Sequence, residues 1–268
     1  MRVAIISDIH GNCVALDAVL TDLRAGTRER VDTAVRSAES AGGGSRVDKV
    51  VCLGDAIQGG PQPAEVVARL RELACPVVMG NADAWLLTAE ETGAEVISDE
   101  RRRKMADVRA WSLAQLSGDD RAFIAAFQPT ITVPLDERNS LLCFHGSPTS
   151  FDDVILPTTG EEQFMAWLGP FLPCIQTGGH THMQQIRRIG ASSSFFFNPG
   201  SVGLAYSHQQ PEAHFRADPW AEYAILTVEN GSLGLEFRRV PFDGGALVAT
   251  YQASGRPHAS DAIAQYGR

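Results

Sequence analysis

Five short polar blocks in the sequence each follow an apolar run, and their side chains are of the kinds that bind metal ions. Two blocks pair such side chains at one spacing, as Asp8-x-His10 and His180-x-His182. Residues two apart on an extended backbone point to the same side, so each pair can direct both side chains at one point. Imidazole suits zinc, iron, manganese or nickel, and oxygen ligands extend the choice toward manganese and magnesium. The blocks contain no cysteine, which argues against a structural zinc site. They are SDIHGN (7–12), GDAIQGGP (54–61), GNAD (80–83), HGSP (145–148) and GGHTHM (178–183).

Each of these residues taken singly has an ordinary structural interpretation. Asp8 and Asn12 can cap a helix, and Asp55 and Asn81 can be turn residues. A lone His145 can be a buried histidine with satisfied hydrogen bonds. The blocks together are harder to explain, because four of the seven histidines lie in them and every block contains a glycine. Independent turns would not collect histidine in this way, so the pattern favours one shared polar site.

The elements that position these blocks are predicted to be strands alternating with helices. Apolar runs at 2–7, 49–54 and 76–80 predict strands buried on both faces, as in a mostly parallel sheet. Apolar stripes at 12–23 and 62–73 predict amphipathic helices between them. The polar blocks then lie at the carboxyl ends of strands, where open α/β sheets place their sites.

The rest of the chain reads as further helices and strands with one insertion. Segment 24–46 is polar and rich in Ala, Ser and Gly, which predicts an exposed insertion, partly helical, with a flexible tail. Residues 84–126 have helical character, with a cap-like SGDD start at 117–120, and TGEE at 159–162 matches a capping box that opens a helix to about Leu168. Strands are also predicted at 130–135, 140–145, 173–180, 183–189 and 193–198, followed by a hairpin at 223–240 that turns at Asn230-Gly231 and a last helix near 244–253.

Composition limits the class of protein. The 268 residues carry a formal net charge of −9 and suit a single domain, predicted over 1–268. An acidic chain is poorly suited to non-specific nucleic-acid binding, which needs lysine and arginine to replace counterions. An anionic ligand would need a local cation, such as a bound metal.

The five cysteines are widely spaced without a CxxC, which predicts buried thiols in a reducing compartment. With no signal peptide and no membrane-spanning run visible, the sequence predicts a cytoplasmic protein.

The order of the blocks, D-x-H, G-D, G-N-x-D, H-G and G-H-x-H, resembles that of the calcineurin-like metallophosphoesterase superfamily. SDIHGN with an ALxAVLxDL helix after it, and NPGSVG at 198–203, are similar to the bacterial and archaeal branch of small cytoplasmic phosphoesterases. The resemblance covers most of the chain and is weakest at 24–46 and 204–220. It implies an α/β fold in which two β-sheets pack as a sandwich with helices on the outer faces.

The same resemblance implies a site for two divalent metal ions. Manganese is the favoured metal, with nickel, iron, zinc or magnesium as alternatives. A water between ions about 3.5–4 Å apart would lose its proton and attack phosphorus in line with the leaving group. The substrate would be a small phosphate ester or a nucleotide-like compound. Carried over by position, the first ion would be held by Asp8, His10 and His182, the second by Asn81, His145 and His180, and both by a bridging Asp55.

One departure from the family pattern concerns the proton that the leaving group needs. Much of the superfamily has GNHD or GNHE in the third block, and its histidine protonates the leaving oxygen; this chain has Ala82 there. The proton must then come from water, from Asp83 or from the substrate, or the leaving group departs unprotonated. We therefore expect substrates with good leaving groups, and take Asp55, Asn81 and Asp83 as the candidate catalytic residues. Asp83 can alternatively brace the loop.

A second departure concerns cations. Protein serine/threonine phosphatases carry an arginine shortly after the GD, whereas the segment here is AIQGGP, with Gln58 and no cation. This counts against a protein phosphatase of that type. His208, His214 and Arg216 follow NPGSVG and could act as proton donor or phosphate clamp, or could simply belong to a solvated loop.

Two other functions fit parts of the pattern. One is a non-catalytic protein-interaction scaffold, since one retromer subunit has this fold and does not act as a phosphatase. The other is a nuclease of the same superfamily, which the acidic charge and the lack of a basic tract disfavour. Retention of all seven ligand positions favours the enzyme. The sequence leaves the oligomeric state open.

Overall fold

Two mixed β-sheets form the centre of the fold in the computed structural model, which describes residues 1–34, 46–90, 98–211 and 215–266. The first sheet has the strand order β2-β1-β8-β9 and the second the order β3-β4-β5-β7-β6. The strands are β1 (Arg2–Ile6), β2 (Lys49–Cys52), β3 (Ile131–Pro134), β4 (Ser140–Cys143), β5 (Ile175–Thr177), β6 (Gln185–Arg188), β7 (Phe195–Asn198), β8 (Trp220–Glu229) and β9 (Ser232–Pro241).

Both sheets mix parallel and antiparallel pairs, which differs from the mostly parallel sheet predicted. Strands β1 and β2 are parallel, as are β4 with β5 and β5 with β7. The β8–β9 hairpin, however, joins β1 antiparallel, with Ala4 opposite Ile225. A buried apolar run shows that a strand is covered on both faces, but it does not show which way the neighbouring strand runs. The sequence therefore did not predict that β8 runs antiparallel to β1.

The two sheets pack face to face, and the predicted sandwich with outer helices is confirmed. Val3 and Leu226 of the first sheet meet Val133 and Phe197 of the second in one buried cluster. On the outer face of the first sheet, Ile6 packs with residues of the two helices that follow β1 and β2. On the outer face of the second sheet, a separate cluster joins it to the helix before β5. Sheet residues thus alternate between an inner and an outer core.

Eight α-helices are present in the described residues, and their starts follow local capping chemistry. The Asn12 Oδ1 atom accepts from the Ala15 amide at the start of the first helix, as predicted. Ser117 and Asp120 form the reciprocal capping box that the SGDD segment predicts. The helices are α1 (Cys13–Ala34), α2 (Pro63–Leu73), α3 (Asn81–Thr88), α4 (Asp99–Gln115), α5 (Gly118–Ala125), α6 (Glu161–Leu168), α7 (Gly244–Ser254) and α8 (Ala259–Tyr266).

Two local predictions need correction, and one helix was not predicted. The capping box at 159–162 is wrong, because α6 has Gly160 at its N-cap and the Thr159 hydroxyl instead accepts from the Leu156 amide. The run 76–80 forms only isolated bridges through Val77 and Val78, not a strand in a sheet. Helix α8 was not predicted. Of the predicted insertion at 24–46, residues up to Ala34 continue α1, and 35–45 lie outside the described residues.

Two compositional expectations can be compared with the structure. Across the described ranges, no helix combines the length and apolarity needed to cross a lipid bilayer. All five cysteines are free thiols, and Cys13, Cys52 and Cys143 are buried.

Candidate metal centre

The residues of the five polar blocks meet at one edge of the sandwich. Asp8 and His10 lie in the loop after β1, and Asp55 follows β2. Because these strands are parallel, their carboxyl ends share an edge. The parallel pair β4 and β5 likewise ends in His145 and the GGHTHM segment. All seven residues predicted as metal ligands are thereby gathered: Asp8, His10, Asp55, Asn81, His145, His180 and His182.

The first group consists of Asp8, His10 and His182. Their ligand atoms lie within 4.8 Å of one another. The Nε2 atoms of His10 and His182 are 3.1 Å apart, and His182 Nε2 is 3.3 Å from Asp8 Oδ1. Asp8 is fully buried and its Oδ1 has no hydrogen-bond partner in the described chain. A buried carboxylate oxygen facing two imidazole nitrogens without a hydrogen bond suits a cation between them.

The second group consists of Asp55, His145 and His180, also within 4.8 Å of one another. Asn81, the first residue of α3, adds its Oδ1 atom 2.9 Å from His145 Nε2. The Oδ2 atom of Asp55 lies 3.4 Å from His145 Nε2 and 3.9 Å from His10 Nε2. Asp55 therefore stands between the two groups, where one carboxylate can serve both.

Backbone carbonyls orient three of the four histidines. The Nδ1 atoms of His10, His145 and His182 lie 2.9, 2.8 and 2.7 Å from the carbonyl oxygens of Gln58, Leu53 and Leu204, respectively. A nitrogen facing a carbonyl carries a proton and donates, so that in the neutral ring the lone pair is on Nε2 and directed into the centre. This is the arrangement that metal-binding histidines use, so the donor set fits divalent cations.

The backbone of the centre adopts conformations that side chains other than glycine rarely take. Five of the seven residues have φ in the left-handed region, between 48° and 67°. Such angles cost free energy for residues with a Cβ atom and persist where the surrounding structure enforces them. No pattern of residue types shows this strain, so the sequence did not predict it. The five are Asp8, His10, Asp55, His180 and His182.

The ionisable side chains in the centre shift one another's pKa values. Burial opposes ionisation of Asp55, but the neighbouring histidines, His145 first and then His10 and His180, together outweigh burial and lower the pKa of the Asp55 carboxyl. Burial likewise disfavours the charged imidazole of His145, yet Asp55 raises the pKa of that ring to about 10. For His10, burial and then the neighbouring His182 lower the pKa. Without a metal, Asp55 and His145 thus form a buried ion pair, and a cation bound there would compete with the His145 proton.

Asp83 lies beneath the centre rather than in it. Its carboxylate is fully buried and accepts hydrogen bonds from the amides of Ala56 and Ile57, at 3.0 to 3.1 Å. Burial first, and the charge of Asp55 second, raise the pKa of Asp83 to about 7. These contacts support the loop that carries Asp55, and of the two roles predicted for Asp83 they favour the brace.

The NPGSVG segment braces the centre from β7, which sequence reasoning did not foresee. Asn198 donates to the Gly179 carbonyl and to the Thr181 hydroxyl, at 2.6 and 3.0 Å. The Ser201 hydroxyl donates to the Asp8 carbonyl at 2.8 Å. These contacts fix the loops on both sides of the first group. The feature of the sequence that could have indicated this role is the polar segment directly after the apolar run 193–198.

The loop after NPGSVG covers one side of the first group. Tyr206 packs edge-on against His182 with ring centroids 5.6 Å apart, and His208 stacks on Tyr206 at 4.5 Å. His208 is exposed, so its ring lies beside the centre in contact with solvent. Arg216 is also exposed, and His214 lies outside the described residues. Gln58, noted above for the absence of a cation, contributes its backbone carbonyl to His10.

Comparison with protein families identifies the domain. Residues 1–231 match the model of the calcineurin-like phosphoesterase superfamily domain. An uncharacterized protein of Methanocaldococcus jannaschii is 35% identical over 211 residues, which cover 75% of this chain and 76% of that protein.

Two solved structures share the fold. The metallophosphoesterase from Sphaerobacter thermophilus superposes with a TM-score of 0.67 at 23% identity, covering 100% of this chain and 99% of that one. A hypothetical protein from Pyrococcus horikoshii OT3 superposes with a TM-score of 0.70 at 18% identity, covering 100% and 98%. Because both identities are below 25%, these similarities show a shared fold and nothing more specific.

Proposed function

The chain belongs to the calcineurin-like phosphoesterase superfamily, and we propose that it is a metal-dependent hydrolase of small phosphate esters or nucleotide-like substrates. The observation that carries the proposal is the position of Asp55, whose Oδ2 atom lies within 4 Å of histidines from both candidate metal groups. A single metal site would not require a carboxylate between two ligand sets.

In this proposal seven residues hold two metal ions and other groups orient those residues. Asp8, His10 and His182 would hold one divalent ion, Asn81, His145 and His180 the other, and Asp55 both. When bound, the two ions supply an activated water and neutralise charge on the phosphoryl oxygens. The carbonyls of Gln58, Leu53 and Leu204 keep three imidazoles in the ligating tautomer. Asp83 holds the Asp55 loop through the Ala56 and Ile57 amides.

Metal dependence is the direct test. Protein stripped with a chelator should hydrolyse p-nitrophenyl phosphate or its bis-ester at least about 10²-fold more slowly than protein resupplied with its preferred metal, the scale set by losing preorganised charge stabilisation. Manganese is expected to restore the highest rate, with nickel, iron, zinc and magnesium assayed alongside. Formation of p-nitrophenol, monitored by absorbance, gives both measurements.

Two histidine variants control this test. His145→Ala should remove the response to metal. His258→Asn should keep it, because His258 pairs with Asp107 away from the centre and asparagine tolerates its φ of 56°. Metal binding without hydrolysis of either ester would favour the non-catalytic scaffold.

Leaving-group chemistry should show the effect of Ala82. Hydrolysis of an aryl phosphate should exceed that of an alkyl phosphate by about 10²–10⁴-fold, the range that a general acid contributes. Ala82 is half-buried, and its amide donates to Asp55 Oδ1 at 2.8 Å, so its side chain starts beside the centre. Ala82→His should therefore narrow the gap by accelerating the alkyl ester. Equal rates on both esters in the unmodified protein would overturn the assignment.

We also propose that the protein acts in the cytoplasm on a small phosphorylated substrate. Support comes from its five free thiols and its net charge of −9, which disfavours nucleic acid as the ligand.

A further inference from the structure

Helices α7 and α8 lie beyond residue 231, where the family-domain match ends. They pack on each other through Leu247, Tyr251 and Ala262, and contact Val14 of α1. Helix α1 directly follows the loop that carries Asp8 and His10. This C-terminal segment, residues 244–266, is therefore placed against the back of the candidate metal centre.

Arg256, between the two helices, reaches the loop that orients His10. Its Nε atom donates to the Gly59 carbonyl at 2.7 Å. The preceding carbonyl, that of Gln58, is the one that accepts from His10 Nδ1. Gly59 itself has a φ of 120°, which is open to glycine and strained for other residues.

The guanidinium of Arg256 is well suited to this task. It is half-buried, lies over the Tyr251 ring at 5.5 Å, and its Nη1 atom donates to the carbonyls of Pro257 and His258. The donors of Arg256 are thus directed at backbone carbonyls. A planar fork held at several points gives a more rigid tether than a single flexible contact.

Tyr266, at the end of α8, makes the equivalent contact on the other side of the first group. Its hydroxyl donates to the Gly203 carbonyl at 2.9 Å. The next carbonyl, that of Leu204, accepts from His182 Nδ1. The Gly203 amide in turn donates to the Asp8 carbonyl at 3.0 Å. Tyr266 and Asn12, whose Nδ2 atom also donates to the Gly203 carbonyl at 3.0 Å, therefore both tether the segment that contacts two of the three ligands in the first group.

Asp55 of the second group lies in the same 54–61 block as Gly59, four residues before it, but the contacts described for the second group come from other elements. His145 is oriented by the Leu53 carbonyl, directly after β2, and Asp55 by the Ala82 amide at the start of α3. Among the described residues, no hydrogen bond from the C-terminal segment reaches Leu53, Ala82 or a ligand of the second group. The hydrogen bonds described between this segment and the ligand-bearing loops are those to Gly59 and Gly203.

We propose that the C-terminal segment positions the first ligand group, through Arg256 and Tyr266, and so affects the metal affinity of that group more than that of the second. Both residues act through the carbonyl-bearing loops and are positioning residues. The inference rests on the proposed function only in requiring that the two groups bind metal, not that they hydrolyse an ester.

The test measures metal binding in proteins with one functional group. In a His145→Ala background only the first group can bind strongly, and in a His182→Ala background only the second. Arg256→Met keeps the side-chain stem over Tyr251 but removes the donors, and Tyr266→Phe removes one hydroxyl. Each should weaken Mn²⁺ binding in the His145→Ala background by about 10-fold, the lower end of what outer-shell partners contribute. Both should change binding less in the His182→Ala background, as measured by titration calorimetry.

Controls separate positioning from general support of the fold. Arg256→Lys should recover part of the affinity lost in Arg256→Met. Asp261→Asn, which breaks the α8 ion pair with Lys104 but touches neither loop, should leave both groups unchanged. Equal weakening of both groups, or no weakening of the first, would overturn the inference. Normal two-ion binding without ester hydrolysis would leave it standing while the proposed function fails.

Discussion

Replacing Asp55 by asparagine should lower metal-dependent phosphate ester hydrolysis by at least about 10³-fold, the upper range for removing one preorganised electrostatic group. Asparagine can keep the acceptor that the Ala82 amide uses, because that bond goes to Oδ1. At the Oδ2 position, however, it loses the negative charge that lies between His10 and His145. The loop should therefore persist while its link between the two groups is lost.

Two measurements are needed to interpret this variant. Hydrolysis of p-nitrophenyl phosphate reports the activity, and the thermal midpoint with and without Mn²⁺ reports metal binding. A ligand at 100 times its dissociation constant stabilises the folded protein by about 2.7 kcal/mol, so Asp55→Asn should lose a large part of the metal-induced shift. Asp107→Asn, the same change at an exposed residue of α4, should alter neither. A folded Asp55→Asn protein with more than about a tenth of the activity would contradict the proposed role.

Substituting alanine for Gly80 should destabilise the protein by about 3 kcal/mol or more, at or beyond the usual upper range for overpacking. A Cβ atom at Gly80 would lie 2.1 Å from Asp55 Oδ1 and 2.3 Å from the Asp55 amide nitrogen. The clash involves backbone, which cannot move aside as a flexible side chain would. Gly80 has a φ of −94°, so the close approach and not the backbone angle requires glycine here.

Gly118→Ala is the matched control for this substitution. Nothing lies within 4 Å of a Cβ atom at Gly118, which is the first residue of α5. Alanine there should be neutral or stabilise the protein by about 0.4–1 kcal/mol, because it restricts the unfolded chain. Urea unfolding of both variants measures the difference. Similar free energies of unfolding for the two would show that the loop accommodates the extra methyl group.

The sequence predicted the parts of the centre that depend on residue type. Histidine, aspartate and asparagine at strand ends are chemically distinctive. The extended backbone assumed for the Asp8-x-His10 and His180-x-His182 pairs was wrong, because all four residues have left-handed φ angles, between 48° and 67°. The sequence also predicted most strands and the caps at Asn12 and Ser117, since these depend on neighbours within a few positions.

The parts that it did not predict depend on distant contacts. The bond from Ser201 to the Asp8 carbonyl joins residues 193 positions apart, and that from Arg256 to Gly59 joins residues 197 apart. Neither donor stands out in its local segment. The capping box at Thr159 failed for a related reason, because its hydroxyl has a competing partner in Leu156. Local sequence patterns indicate which functional groups are present, whereas the packing of the folded chain determines the hydrogen-bond partner of each group.

If the five candidate ligand positions with left-handed backbone bind metal as proposed, their conformation sets stability against the proposed activity. Such a conformation costs about 1–2 kcal/mol for most residues with a Cβ atom and less for aspartate, and glycine would relieve that cost. Selection for heat resistance alone would therefore favour removing the ligands themselves, beginning with half-buried ones such as His10. Engineering for robustness should leave these five positions fixed and seek its gains in surfaces remote from them.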